Sequence, residues 1–574
     1  MNAYAIGILI SILIYLAVGN YAGRKVKHLE DYFVAGRQAP TLLIVGTLVA
    51  SLMSTNAFLG ETGMGYSGYG SLIVILTALN IVGYVGGAVY FGRFLRRSRA
   101  LTVAEYFGKR FNSHRVRMVA GITIIIGVSG YLMAVTQGAS LILSEVTALP
   151  YRVSLCVVWA GYTLFTLYSG SRGVVITDTI MFILFSVVAF VALGFIVDAS
   201  GGWFATVREL ANFQPKPGII SWHGLNGPDA TWHTPAESLT WAVILGLAWA
   251  VVVAVSPWQA SRYLMAKNEH VVIRSACGTA AAVLVLYLVL QLAGTAINLS
   301  KADIEPAQEA MIWAALNLMP TLAGTLLMAG IMAAALSSAS TFLSLIGFSA
   351  SHDIVEHDMS DDRRLLRMSR LTMLGVSLVA LALAMAFPPQ IFWLTYFVGT
   401  VFASSWGPVA FMSVWSRRIT AAAAFWGIVV GFLGNVGANL LSFLNIVDLP
   451  VYLDPILVGA ALSFAAIYIV SRQGSVSPAE LDFLSQIHRT PAEELAASEY
   501  GKTLRWPKLL ILSGIGTTIL MIVFYANPYQ RAVHGADAQA LSGEHLMAIG
   551  CGFMLVVCGV LAYRGTRKSY APQE

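Results

Sequence analysis

The run Ala334-Ala335-Leu336-Ser337-Ser338-Ala339-Ser340-Thr341 places four hydroxyls within five residues of one of the most apolar stretches of the chain. Hydroxyls at i, i+3 and i+4 share a helix face, so Ser337, Ser340 and Thr341 point one way. Ser338 stands beside Ser337, one turn beyond Ala334. Hydroxyl and carbonyl oxygens suit a small hard cation that must later be released. Ser and Ala also let membrane helices approach closely, so the run alone leaves ion binding and packing as alternatives. The other chemistry-bearing side chain is Asp178, in Gly173-Val174-Val175-Ile176-Thr177-Asp178-Thr179-Ile180. It is the one carboxylate expected well inside an apolar stretch. An acid at that depth is costly and marks an ion or proton site. A place near the end of its span, reaching water, is the structural alternative. Glu61 is expected nearer the outer surface.

The elements that must position these oxygens are membrane helices. Of 574 residues, 57% are hydrophobic and 11% charged, about half the charge of a soluble protein. Apolar runs near twenty residues predict about fifteen spans, roughly 3–22, 40–66, 71–95, 116–146, 151–169, 173–198, 238–265, 273–297, 320–350, 368–387, 389–414, 420–444, 452–471, 507–526 and 544–564. The first run lacks a basic segment before it, and Arg24, Lys25 and Lys27 follow it. It therefore reads as a retained helix and not a signal peptide.

Connections after odd-numbered spans collect the basic residues: Arg93, Arg96, Arg97 and Arg99, then Arg172, Lys267 with Arg274, Arg363-Arg364 with Arg367, Arg417-Arg418, Lys502 with Arg505, and Arg567-Lys568. That bias predicts an outside N-terminus and a cytoplasmic C-terminus in a bacterial plasma membrane. It also accounts for the net charge of +6 without a nucleic-acid partner. Cys156, Cys277, Cys551 and Cys558 all fall within spans, with neither disulfide nor metal spacing.

Two spans look interrupted. The second has a polar middle (Ser51, Ser54-Thr55-Asn56) and three glycines in its outer half. The seventh carries Ser256-Pro257, where proline removes an amide donor. If spans 2–6 and 7–11 are two halves, each break falls in the first helix of a half. Five is an odd number, so the halves must be inverted, and such folds use unwound carbonyls to hold a coupling ion near the midplane. The predicted organisation is a terminal helix and loop (1–39), a first repeat (40–198), an outer loop (199–237), a second repeat (238–416), accessory spans (417–471), a polar linker forming one or two amphipathic surface helices (472–506), and two last spans (507–574).

Several separated pieces resemble the sodium:solute symporter family. Asp31-Tyr32-Phe33-Val34-Ala35-Gly36-Arg37 is similar to its D-Y-F-x-A-G-R stretch. Span 2 resembles its A-S-x-M-S-x-x-x-F-L-G stretch. Span 9 resembles its A-A-x-M-S-[ST]-x-x-S stretch, with Leu336 at the Met position. Gly407-Pro408 through Trp415, Arg417-Arg418 and Thr420 resembles its G-P-x-x-x-x-x-x-W-x-R-x-T stretch.

The resemblance implies an all-α, LeuT-type five-plus-five inverted-repeat core with additional terminal helices. It implies a main sodium site of the Ala50, Met53 and Ala334 carbonyls with the Ser337 and Ser338 hydroxyls. It permits a second sodium site at Ser337, Ser340, Thr341 and Asp178. Solute contacts are expected from Tyr131 and Trp249, with Asn56 and Gln137 adding polar groups and Thr400 lining span 11. Leu52 stands where the proline and sugar branches carry Asp or Asn, and Thr400 where sugar symporters carry Gln. Both departures weaken a sugar reading, and the first weakens proline itself.

The predicted function is sodium-coupled import of a small organic solute, a carboxylate or amino acid, by alternating access. The alternatives are a sugar or other solute, proton coupling, or a transporter-like receptor. No kinase-like segment favours the receptor. No acid or His pair within a span favours an enzyme.

Overall fold

The computed structural model describes residues 3–23, 29–355, 362–447, 449–537 and 541–571. Arg24, Lys25 and Lys27 lie outside the described residues. Fifteen principal helices are α1 (Ala3–Gly23), α2 (Thr41–Leu52), α3 (Gly70–Gly87), α4 (His114–Thr147), α5 (Tyr151–Ala199), α6 (Pro235–Val255), α7 (Pro257–Met265), α8 (Glu269–Ala296), α9 (Thr321–Phe348), α10 (Asp362–Ala386), α11 (Ile391–Trp415), α12 (Ala421–Phe443), α13 (Pro455–Arg472), α14 (Ala497–Met521) and α15 (Gly543–Tyr570). Among the described residues twelve helical runs are long and apolar enough to cross a membrane, with three shorter apolar helices beside them.

Two boundaries differ from the sequence expectation. The spans expected at 151–169 and 173–198 form one helical run, α5. At 1.5 Å per residue its 49 residues are about twice what one bilayer crossing needs, so α5 still supplies two apolar segments, Tyr151–Leu167 and Gly173–Ala199. The fourteenth span begins at Ala497, inside the expected linker, and carries Pro507 within it. The rest of that linker holds the helix Pro478–His488. It is opened by a capping box in which Ser477 and Glu480 satisfy each other's backbone amides.

Both expected breaks are present. α2 stops at Leu52 because Met53 leaves the helical region (φ −79°, ψ 80°). The Ser54 hydroxyl then accepts the Asn56 amide at 3.1 Å, the kind of local side-chain bond that competes with a helix. Helical structure resumes as a widened turn over Asn56–Glu61. The second break sits at Ser256, extended at φ −58°, ψ 147° as a residue before proline must be. Pro257 opens α7, a first-turn position where its missing donor does no harm.

Packing brings the two breaks to one centre. α9 lies against α4 and α5, α2 against α5 and α8, and α6 against α3 and α11. α1 packs on α5 and α9 at the rim, α12 pairs with α13, and α14 pairs with α15 beside α3. α9 is buried along nearly its whole length, whereas α10, α13 and α14 turn broad apolar faces outward, as lipid-facing helices do.

Candidate ion and solute site

A helix that ends at Leu52 leaves its last carbonyls without helical donors. Met53 N–H takes the Val49 carbonyl at 2.8 Å, and Ser54 N–H takes that of Leu52 at 2.9 Å. The Ala50 carbonyl faces α9 instead, where the Ser338 hydroxyl donates to it at 3.4 Å. Ala50, Met53, Ala334, Ser337 and Ser338 are all essentially inaccessible to solvent. The structure thus brings the broken end of α2 and the hydroxyl run of α9 face to face. The donor set there is neutral oxygen, chemistry that fits a weakly held alkali cation.

Beside it the Asp178 carboxylate of α5 is fully buried and multiply bonded. Ser337 donates to its Oδ1 at 2.6 Å and Thr47 to its Oδ2 at 2.5 Å. Arg262 of α7 brings Nη2 to 3.6 Å from the same Oδ2 and donates to the Thr341 hydroxyl at 2.5 Å. Ser340 donates to the Ser337 carbonyl at 2.9 Å. Asp178, Ser337 and Thr341 therefore share one cluster, and its cation is a guanidinium. A buried acid held by two hydroxyls and an arginine is a satisfied charge, and removing one partner strands the other.

The residues expected to touch solute divide into two groups. Tyr131 packs between Trp258 and Phe342 (ring centroids 5.6 and 4.4 Å away), and its hydroxyl faces Ser54 at the first break. Asn56 is buried at the resumption of the second span, its side-chain oxygen without a partner among the described residues. Gln137 donates to the Phe387 carbonyl at 3.0 Å and leaves its own amide oxygen unpartnered. These three surround the first break. Trp249, by contrast, lies flat on α11, where a Cβ at Gly399 would meet it at 2.9 Å. Thr400 donates to the Phe397 carbonyl of its own helix at 2.9 Å.

Four participants escaped the sequence reading. Thr47 and Arg262 complete the Asp178 cluster. Gln259 of α7 donates to the Leu48 carbonyl and the Ser51 hydroxyl, each at 3.4 Å, tying the second break to the first. Glu61, expected nearer the outer surface, is covered by protein, with only 8% of it exposed. For both Glu61 and Arg262 the available signal was a charge inside an apolar run, which the cost of burying charge flags by itself.

The chain matches known transporters over most of its length. A model of the sodium:solute symporter family matches residues 32–431. The sodium/pantothenate symporter of Escherichia coli K12 is 24% identical over 485 residues, covering 81% of this chain and 96% of that protein. The sodium/proline symporter of the same organism is 24% identical over 458 residues, covering 76% and 87%. A substrate-bound, outward-open sodium-coupled sialic acid symporter superposes with a TM-score of 0.70 at 18% identity, covering 83% of this chain and 99% of that one, which shows a shared fold. The chain belongs to the sodium:solute symporter family and is a sodium-coupled symporter of small solutes, a membrane transporter and not an enzyme.

Proposed function

We propose that sodium binds between the end of α2 and the middle of α9, held by the carbonyls of Ala50, Met53 and Ala334 and the hydroxyls of Ser337 and Ser338. The observation that carries this is the approach of the Ser338 hydroxyl to the Ala50 carbonyl at the broken helix end, 3.4 Å apart and buried. The ion bridges two elements from different halves, 40–198 and 238–416, so its binding favours one relative placement of them. The solute binds at the first break, against Asn56, Tyr131 and Gln137, with Trp249 and Thr400 shaping the wall behind. Solute binding closes the outer gate, the halves rock, and sodium leaves on the opposite side. Each sodium entering down 100 mV contributes about 2.3 kcal/mol before any concentration difference.

The arginine-rich end, with Arg93–Arg99, Lys267 and Arg274, faces the cytoplasm, which puts the N-terminus outside and the C-terminus inside. A second sodium at Asp178, Ser337, Ser340 and Thr341 requires the Arg262 guanidinium to withdraw, because the two cations compete for the same oxygens. The solute is a small organic molecule; pantothenate and proline, which the named relatives carry, both bear a carboxylate. The test is sodium binding by purified protein. The paired change Ser337→Ala with Ser338→Ala should abolish it while the protein stays folded. Unchanged affinity would remove the site from the mechanism.

A further inference from the structure

Asp178 and Glu61 are both buried acids of the first repeat, yet only one is answered. Asp178 has Arg262, Ser337 and Thr47. Among the described residues no Lys, Arg or His lies within ion-pair distance of Glu61, and its Oε2 is buried without a hydrogen-bond partner. The Tyr287 hydroxyl of α8 and the Asn56 side chain hydrogen-bond to the carboxyl, neutral partners that leave it without a counter-charge.

The surroundings are equally unsatisfied. Gln291, one turn beyond Tyr287 on the same face of α8, is 2% exposed with neither its amide nitrogen nor its oxygen partnered. Asn56 and Gln137 each leave a side-chain oxygen free, as Thr55 does its hydroxyl. Glycines hold these groups together. A Cβ at Gly60 would strike the Asn56 oxygen at 2.3 Å, and one at Gly65 the Gln291 oxygen at 2.7 Å.

A cluster of buried polar atoms without protein partners fits a place where a polar guest, solute or water, supplies the missing bonds. The unpartnered atoms around Glu61 are mostly acceptors, and the strongest is a carboxylate. A solute that is only an anion is repelled there. A solute carrying an N–H-rich cation meets the carboxylate and the amide oxygens.

We propose that Glu61 is the ammonium subsite of the solute chamber, so that the transported solute carries a protonated amine. This rests on the proposed chamber at the first break and narrows its solute from carboxylate or amino acid to amine-bearing. The amine's N–H groups donate to Glu61 and to the Asn56 oxygen, and the Tyr287 hydroxyl orients the acid.

The test is thermal unfolding of the purified full-length protein in sodium chloride or potassium chloride. The probes are the neutral L-amino acids, each paired with the carboxylic acid that lacks its amine. A sodium-specific stabilisation without solute tests the proposed ion site separately, and its absence would count against that reading instead. With it present, at least one amine-bearing probe should stabilise the protein further, and its amine-free counterpart should not. Glu61→Gln should keep the sodium response and bind that probe at least roughly tenfold more weakly. Glu61→Asp should recover part of the loss, which a merely structural role would not produce. Stabilisation by the amine-free series, by neither series, or equally in Glu61→Gln would overturn the assignment.

Discussion

The two broken helices occupy equivalent places in their repeats and are built from opposite chemistry. The first break, Met53 to Thr55, is lined by carbonyls, hydroxyls and small side chains. The second, at Ser256-Pro257, is followed within five residues by Trp258, Gln259 and Arg262. Trp258 packs edge-on against Tyr131, Phe342 and Phe402. One break offers oxygen without a cation; the other brings a cation and a wall of rings. The two breaks therefore differ in what they present: the first presents neutral oxygens and small side chains, and the second a fixed charge and a rigid surface.

The largest effect that would break this comparison is Arg262→Ala. It leaves the fully buried Asp178 without its counter-charge, a loss of about 3–5 kcal/mol. Denaturation should show the destabilisation in potassium and a disproportionate recovery in sodium, which can take the vacated place. Equal recovery by both salts would mean that the second break carries no cation role. Asp178→Asn comes next. Sodium affinity should fall by about tenfold, or one fewer sodium should be carried per solute, with expression little changed, read by sodium titration of uptake. Unchanged sodium dependence would leave Asp178 a packing residue.

A smaller change is Ser54→Ala, which removes the hydroxyl that caps Asn56 and should cost about 1 kcal/mol. It should weaken solute binding more than sodium binding.

The smallest lies away from both breaks. Burial raises the Glu494 carboxyl to about 7 from its ordinary 4.5, while its Oε1 accepts the Glu269 amide at 3.1 Å. Between those two values the folded state binds more protons than the unfolded one, so docking of this segment weakens as pH rises through the window. Protection factors at residues 490–496, with exchange corrected for its intrinsic pH dependence, should rise from pH 7.5 to 5.5, and Glu494→Gln should remove that rise.

Much of the fold was readable because hydropathy and helix breakers act locally. The polar centre of the second span and Ser256-Pro257 announced both breaks, and the hydroxyl spacing of α9 gave the face whose Ser337 and Thr341 meet Asp178 and Arg262, with Ser338 beside it on Ala50. Positions whose meaning depends on a distant partner were not readable. Arg262 gains its meaning only where α7 carries it to Asp178. The burial of Glu61 was not readable because the glycines that let α8 and α11 close over it do not reveal their packing in one dimension. The surroundings of Thr400 and Trp249 were unreadable for a related reason: the Phe397 carbonyl and the facing Gly399 that they meet are set by helix packing.

The last helix has a further consequence. Tyr570 donates to Glu269, which Arg97 grips through both carboxylate oxygens. Arg93 reaches Ser569 alongside. Glu269 opens α8 directly after the turn that follows α7, so the end of α15 is tied to the connection beneath the second break. A pair of spectroscopic labels, one at Lys568 and one at Lys267, would report any change of distance between the two during turnover from positions clear of the proposed ion site.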